Sequence, residues 1–273
     1  MITKDNIKHY RGLAIDEGED YLYIPPNMLL RPYISHYCIS FPTPQTMSSK
    51  YTVLPSANSV IGVFVKGGQV NCIYNGTNSQ VSIVGDFANK NDLLLLIKFR
   101  AGGFYPFYSF NQDELVDFSI DLSNIDKTLA SDIENGLIES KQIDALITTL
   151  DNIFLNRLKN NNIIITNAVN RLITCNGKLT TKELSTELYY CEKHIRRLFL
   201  QCIGVSTKKF SRIVRINNAV QLLKDNPTNF LRTIDNAGYY DQAHFIRDFK
   251  DIFSVTPSEF TKNMSIFYIA ESI

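Results

Sequence analysis

The apolar positions of the chain change their period near its middle. Up to about residue 110 they come in short β-rich runs, Tyr21 to Ile24, Ser59 to Lys66, Gln69 to Tyr74, Val81 to Val84 and Leu93 to Phe99, separated by turn signals. Gly67-Gly68 and Asn75-Gly76 fall between such runs and predict hairpins. Pro25, Pro26, Pro32, Pro42, Pro44 and Pro55 crowd the start, which breaks helices there and predicts irregular edges around a small barrel or sandwich. From Asp113 onward the period becomes helical. Between Gln142 and Lys159, the positions Ile143, Leu146, Ile147, Leu150, Ile153, Phe154 and Leu158 form one amphipathic stripe. Lys159-Asn160-Asn161-Asn162 then supplies a polar break. The expected organisation is a first domain over 1–160, a helical domain over 163–264 and a short tail over 265–273.

The helical part repeats itself. Shifted by 50 residues, Leu184 to Phe210 aligns without a gap on Ile234 to Phe260, with identities at Tyr189/Tyr239, Tyr190/Tyr240, His194/His244, Arg197/Arg247, Phe199/Phe249, Val205/Val255 and Phe210/Phe260. Each unit reads as a short helix (Thr181 to Leu188; Leu231 to Ala237), a tight break at Tyr-Tyr and a longer helix, the layout of a helix-turn-helix. At 100° per residue, Ile195, Leu198, Phe199 and Cys202 share one face of the first longer helix, while Lys193, Arg196 and Arg197 lie opposite. In the second unit Phe245, Phe249 and Ile252 form the stripe, with Ala243, Ile246, Arg247 and Lys250 opposite. Leu200 falls among the cations of the first unit.

Charge follows the same division. The whole chain carries 28 basic and 27 acidic side chains, yet residues 1–162 hold 13 against 17 and residues 163–264 hold 15 against nine. A basic excess beside a mildly acidic partner suggests a module for nucleic acid or another anionic surface. The first 20 residues are too acidic and polar for a signal peptide, and the longest aliphatic run, Leu93 to Ile97, is far short of the roughly 20 residues that span a bilayer. A cytoplasmic protein without membrane contact is expected. The five cysteines form no C-x-x-C and no zinc-ligand spacing, so neither disulfides nor a metal is expected, and no cofactor is implied.

Leu179 to Phe260 resembles the DNA-binding domain of the AraC/XylS family of bacterial transcription regulators. The resemblance is carried by Ile195-Arg196-Arg197-Leu198-Phe199, Gly204-Val205-Ser206, Arg215 to Leu223, Ala237 to Lys250 and Phe253 to Phe260. It implies two helix-turn-helix units joined by a rigid connector, Phe210 to Leu223, that sets two recognition helices about one DNA turn, roughly 34 Å, apart. By the same resemblance Lys193, Arg196 and Arg197 in the first unit, and Gln242, Ala243, Ile246 and Arg247 in the second, face bases. Lys208, Lys209, Arg212 and Lys250 are candidate phosphate contacts. The chain departs from the family pattern where Cys191 replaces the usual serine N-cap, where Thr233-Ile234-Asp235 replaces an Ile-Ala helix start, and where Ser254 replaces glycine.

Residues 1 to about 110 are similar to the cupin-like sensory domain that precedes this module in part of the family. Tyr23 to Pro26, Tyr51 to Pro55, Val84-Gly85 and Phe99 to Phe104 carry that similarity. The expected fold is therefore α+β: a cupin-like β-barrel with flanking helices, then an all-α domain with two helix-turn-helix units. The implied function is a sequence-specific activator bound to double-stranded DNA, with RNA polymerase as partner and a small-molecule effector in the barrel. The aromatic run Phe104, Tyr105, Phe107, Tyr108 and Phe110 could line a pocket, fill a core or meet the other domain. The stripe within 142–159 could serve a homodimer or cover the barrel. Two other classes stay open: a regulator acting through protein contact alone, and a cupin-type metal enzyme. The second is opposed by a histidine pair, His9 and His36, 27 residues apart with no H-x-H. A DNA alkyl-repair protein would need a four-cysteine zinc site that Cys38 and Cys72 cannot supply.

Overall fold

A computed structural model describes residues 1–159, 163–225, 239, 241–262 and 267–268. The strands are β1 (Asp16–Glu17), β2 (Tyr21–Ile24), β3 (Ile34–Ser40), β4 (Thr52–Val53), β5 (Val60–Lys66), β6 (Gln69–Asn75), β7 (Ser82–Ile83), β8 (Leu93–Phe99), β9 (Ser119–Asp121) and β10 (Phe267–Tyr268). The helices are α1 (Lys4–Lys8), α2 (Gly85–Ala88), α3 (Lys127–Glu139), α4 (Ile143–Leu155), α5 (Ile163–Thr174), α6 (Thr181–Glu187), α7 (Glu192–Ile203), α8 (Thr207–Asp225), α9 (Gln242–Phe253) and α10 (Pro257–Lys262).

Seven strands form one antiparallel sheet in the order β1-β2-β3-β8-β5-β6-β9, and β10-β4-β7 form a second, small sheet. The large sheet is open among the described residues, since β1 and β9 stand at its two edges, so the expected barrel is not closed. The α+β class stands. Leu93 to Ile97 is apolar on both faces because β8 lies at the centre, flanked by β3 and β5 and buried from both sides. Gly67-Gly68 turns the β5–β6 hairpin, with Lys66 opposite Gln69 and φ of 56° and 81° at the two glycines.

Asn75-Gly76 does not make a hairpin. Strand β6 pairs with β5 and β9, and the run at Val81 to Val84 contributes β7, which pairs with β4. Gly76 is there because a β-carbon would stand 1.8 Å from the Leu115 carbonyl oxygen, a close approach of two backbones. Strand β9 also interrupts the region read as helical from Asp113. Strand β3, which the sequence pattern does not predict, pairs with β2 and β8 inside the sheet.

One face of the sheet carries Leu22, Tyr37, Ile39, Ile61, Val63, Tyr74, Leu95 and Ile97 into a core closed by Leu129 and Ile133 of α3 and by Leu146, Leu150 and Phe154 of α4. The stripe of α4 therefore covers the sheet, and a homodimer through 142–159 would have to use the polar outer face of that helix. Phe104 and Phe107 belong to this core too: Phe104 stacks on Tyr74 at 4.3 Å and Phe107 meets Phe154 at 5.4 Å. They fill the domain rather than line a pocket. No helix among the described residues is long and apolar enough to cross a membrane.

A second core gathers Ile165, Leu172, Leu184, Ile195, Phe199, Phe210, Ile213, Ile216, Phe245, Phe249 and Phe260. Leu54, Ala57 and Ala101 of the sheet region join it, so the two halves of the chain share apolar contact.

Candidate nucleic-acid interface

The first helix-turn-helix unit is built from α6, a turn and α7. Helix α6 starts with a capping box: Thr180 Oγ1 accepts from the Glu183 backbone N–H at 3.2 Å while Glu183 Oε2 accepts from the Thr180 backbone N–H at 2.8 Å. It ends with the Tyr190 N–H donating to the Ser185 carbonyl at 3.0 Å and the Tyr189 N–H donating to Thr186 at 3.2 Å, the two-bond Schellman closure. Tyr189 takes the left-handed position that this closure requires, at φ 59°. Cys191 then caps α7 with no side-chain bond, as expected of a thiol, whereas Asp241 caps α9 by accepting from the His244 N–H at 2.7 Å. Ser254 ends α9 in the left-handed region at φ 59°, where glycine is more comfortable.

Helix α7 presents the faces read from the sequence, and α9 does so except at Ile246. Ile195, Leu198, Phe199 and Cys202 are buried, and so are Phe245, Phe249 and Ile252. Lys193, Arg196 and Arg197 are exposed, as are Gln242, Ala243, Arg247 and Lys250; Ile246 is half-buried against the core. Leu200 remains 43% exposed beside the cations of α7, leaving an apolar atom group in a charged surface. Within that surface Arg196 donates to Glu192 at 2.6 Å, one turn back, and Arg197 donates to Nδ1 of His194 at 3.2 Å. His194 in turn stacks on Tyr190 at 5.1 Å. These exposed pairs orient the guanidinium groups and contribute little to stability. The short helix of the second unit, Leu231 to Ala237, lies outside the described residues.

The connector is one continuous helix, α8, which at 1.5 Å per residue is roughly 28 Å long. The candidate phosphate contacts divide along it. Lys208 is exposed. Lys209 instead donates to Ser79 Oγ at 2.7 Å, and Asp117 holds Ser79 by accepting from its N–H at 2.6 Å. Arg212 donates to Asp248 at 2.8 Å and to Asp251 at 3.1 Å, tying the connector to α9.

Residues that sequence reasoning passed over make the junction between halves. Thr77 donates its hydroxyl to the Ile203 carbonyl at the end of α7. Gln201 donates to the Tyr105 hydroxyl at 2.8 Å, and Asn217 of α8 donates to the Pro55 carbonyl at 2.8 Å. Tyr105 is thus the member of the aromatic run that meets the other domain. The first helix-turn-helix unit rests on the sheet region through α7 and α8, while α9 is held by Arg212 and the helical core.

Helices α7 and α9 stand at equivalent positions of the repeat, turn cationic faces outward and are joined by α8, an arrangement of the helix-turn-helix kind. Residues 184–263 match the family described as a helix-turn-helix domain. Over 70 residues the chain is 36% identical to an uncharacterized HTH-type transcriptional regulator of Haemophilus influenzae, covering 26% of this chain and 24% of that one. Over 88 residues it is 30% identical to the uncharacterized HTH-type transcriptional regulator YisR of Bacillus subtilis, covering 32% and 31%. The chain thus matches about a quarter of the length of the first relative and under a third of the second. Among solved structures, a probable AraC family transcriptional regulator from Rhodopseudomonas palustris is 27% identical with TM-score 0.31, covering 35% of this chain and 95% of that one. ToxT of Vibrio cholerae, solved with an unsaturated fatty acid, is 12% identical with TM-score 0.43, covering 89% and 93%. Residues 184–263 of this chain are thus similar to a helix-turn-helix domain.

Proposed function

We propose that the protein is a sequence-specific transcription regulator that reads two successive major grooves of double-stranded DNA. The observation that carries this is the pair of exposed cationic faces, Lys193, Arg196 and Arg197 on α7 and Arg247 on α9, at equivalent positions of a repeat joined by α8. An arginine in the major groove bonds guanine O6 and N7 together, and Gln242 can do the same with adenine N6 and N7. Ala243 and Ile246 offer only apolar contact, as to a thymine methyl, so specificity rests mainly on the first unit. Lys208 and Lys250 are the free candidates for phosphate; Lys209 and Arg212 have internal partners that they would have to leave. Activation, contact with RNA polymerase, self-association and a small-molecule effector complete the reading. Support for effector control comes from the sheet region gripping α7 and α8, so that a ligand altering that grip would alter how the first reading helix is presented.

Selection of bound DNA by the purified protein, repeated with cell extract as a source of effector, tests this reading. Two half-sites one turn apart are expected; no enrichment under any condition points to a regulator working through protein contact alone. On the selected duplex, Arg197→Ala should lower affinity by about 1–3 kcal/mol and relax one base position. Unchanged affinity and base preference in that variant sink the role of Arg197. Lys208→Ala should weaken all sequences alike and flatten the salt slope by about one unit.

A further inference from the structure

Tyr189 and Tyr239 are the same residue at equivalent positions of the repeat, and they are used in opposite ways. Tyr239 is 6% exposed, its ring against Phe245 at 5.1 Å and beneath the Arg215 guanidinium at 5.3 Å. Tyr189 is 95% exposed. The packing that accounts for Tyr239 does not account for Tyr189.

The backbone makes the contrast sharper. Tyr189 stands at the left-handed closing position of α6, at φ 59°, where glycine carries no penalty and a bulky aromatic does. A large ring is thus held in water, on a conformation that disfavours it, in the turn that leads into α7. It is followed along the chain by an exposed Tyr190, the exposed Lys193 on the first turn of α7, and the exposed Arg196 and Arg197. Among the described residues no packing accounts for a ring here, and the surface it extends is the one read above as turned towards DNA.

We infer that Tyr189 is a DNA-backbone contact: its phenol O–H donates to a phosphate oxygen at the edge of the groove that α7 enters, and its ring covers the adjoining sugar. Tyrosine hydroxyls are among the groups that make such register-fixing, sequence-independent bonds. The contact rests on the reading of α7 as a recognition helix, and it positions that helix without reading bases.

The two readouts of Tyr189→Gly should move in opposite directions. Thermal unfolding of the full chain should shift upward by a few degrees, because the left-handed strain is relieved. Affinity for the duplex selected by the wild-type protein, followed by fluorescence anisotropy, should fall about tenfold, and by a similar factor on unrelated duplexes. Tyr189→Phe, which keeps the ring and the backbone strain, should show most of that loss. Wild-type affinity in Tyr189→Gly overturns the inference while leaving the DNA-binding reading intact, and wild-type affinity in Tyr189→Phe overturns the hydroxyl–phosphate bond. A wild-type protein that binds no duplex under any condition overturns the underlying reading and the contact with it.

Discussion

Gly204→Val should lower the stability of the chain by about 2–5 kcal/mol, a sum of backbone strain and overpacking. Gly204 ends α7 at φ 91°, and its N–H donates to the Phe199 and Leu200 carbonyls at 3.0 Å each. That conformation favours glycine on its own account. A β-carbon at this position would also stand 2.6 Å from Cγ2 of Val116 and 2.8 Å from the Gln112 carbonyl oxygen, both on the sheet side of the junction. The substitution therefore strains the cap of the first reading helix and pushes the two halves of the chain apart at one point. Gly67→Ala isolates the first effect: φ there is 56°, and nothing lies within 4 Å of the new atom. Urea unfolding of both variants separates the contributions, with Gly67→Ala expected to cost about 1 kcal/mol. Equal losses in the two would mean that the sheet region yields freely around Gly204 and that the junction is not tight there.

The junction is also where reading the sequence stops. Amphipathic period and repeat register are local properties, so α4, α6, α7 and α9 are legible together with their buried faces. The cationic face of α7 follows from the same period. Strand β3 is not legible, although it pairs with both β2 and β8. Its run Ile34-Ser35-His36-Tyr37-Cys38-Ile39-Ser40 lies between Pro32 and Pro42 and mixes polar residues into both registers. Burial on both faces of the sheet, a tertiary fact, overrides that weak local pattern. Asn75-Gly76 fails for the opposite reason: the dipeptide has strong turn chemistry, but here glycine serves a close approach to Leu115 that no local rule anticipates. Contacts such as Asn217 to Pro55 or Lys209 to Ser79 join residues more than 100 positions apart, and nothing in either segment announces the other.

One buried feature of the site could have been found from the repeat. Asp248 aligns with Leu198, and both are buried, so the second unit carries a carboxylate where the first carries an apolar core residue. A carboxylate in such a place needs partners. Arg212 supplies two, donating from Nε at 3.1 Å and from a terminal nitrogen at 2.8 Å, and the Tyr239 hydroxyl donates at 3.4 Å. Burial, then the nearby Asp248 charge, raise the Tyr239 hydroxyl well above its ordinary value, so it stays a donor at any physiological pH.

Asp248→Ala should accordingly cost about 2–4 kcal/mol, the loss expected for breaking a buried pair, reduced because Arg212 is 31% exposed and water can reach its guanidinium. Asp248→Asn should cost less, since the amide oxygen can still accept one bond from Arg212. The functional consequence is the more informative one. Arg212 lies on α8 and Asp248 on α9, so this pair fixes the second reading helix against the connector that leads back to the first. With the pair broken, the two helices should no longer be held at a common spacing, and DNA protection should contract from two half-sites to the one read by α7. Footprinting of Asp248→Ala on the selected duplex, below its unfolding temperature, checks this. Protection of both half-sites with wild-type affinity would show that the pair stabilises the domain without setting the distance between its reading helices, and that the Arg212–Asp251 pair and the core contacts of α9 suffice to set it.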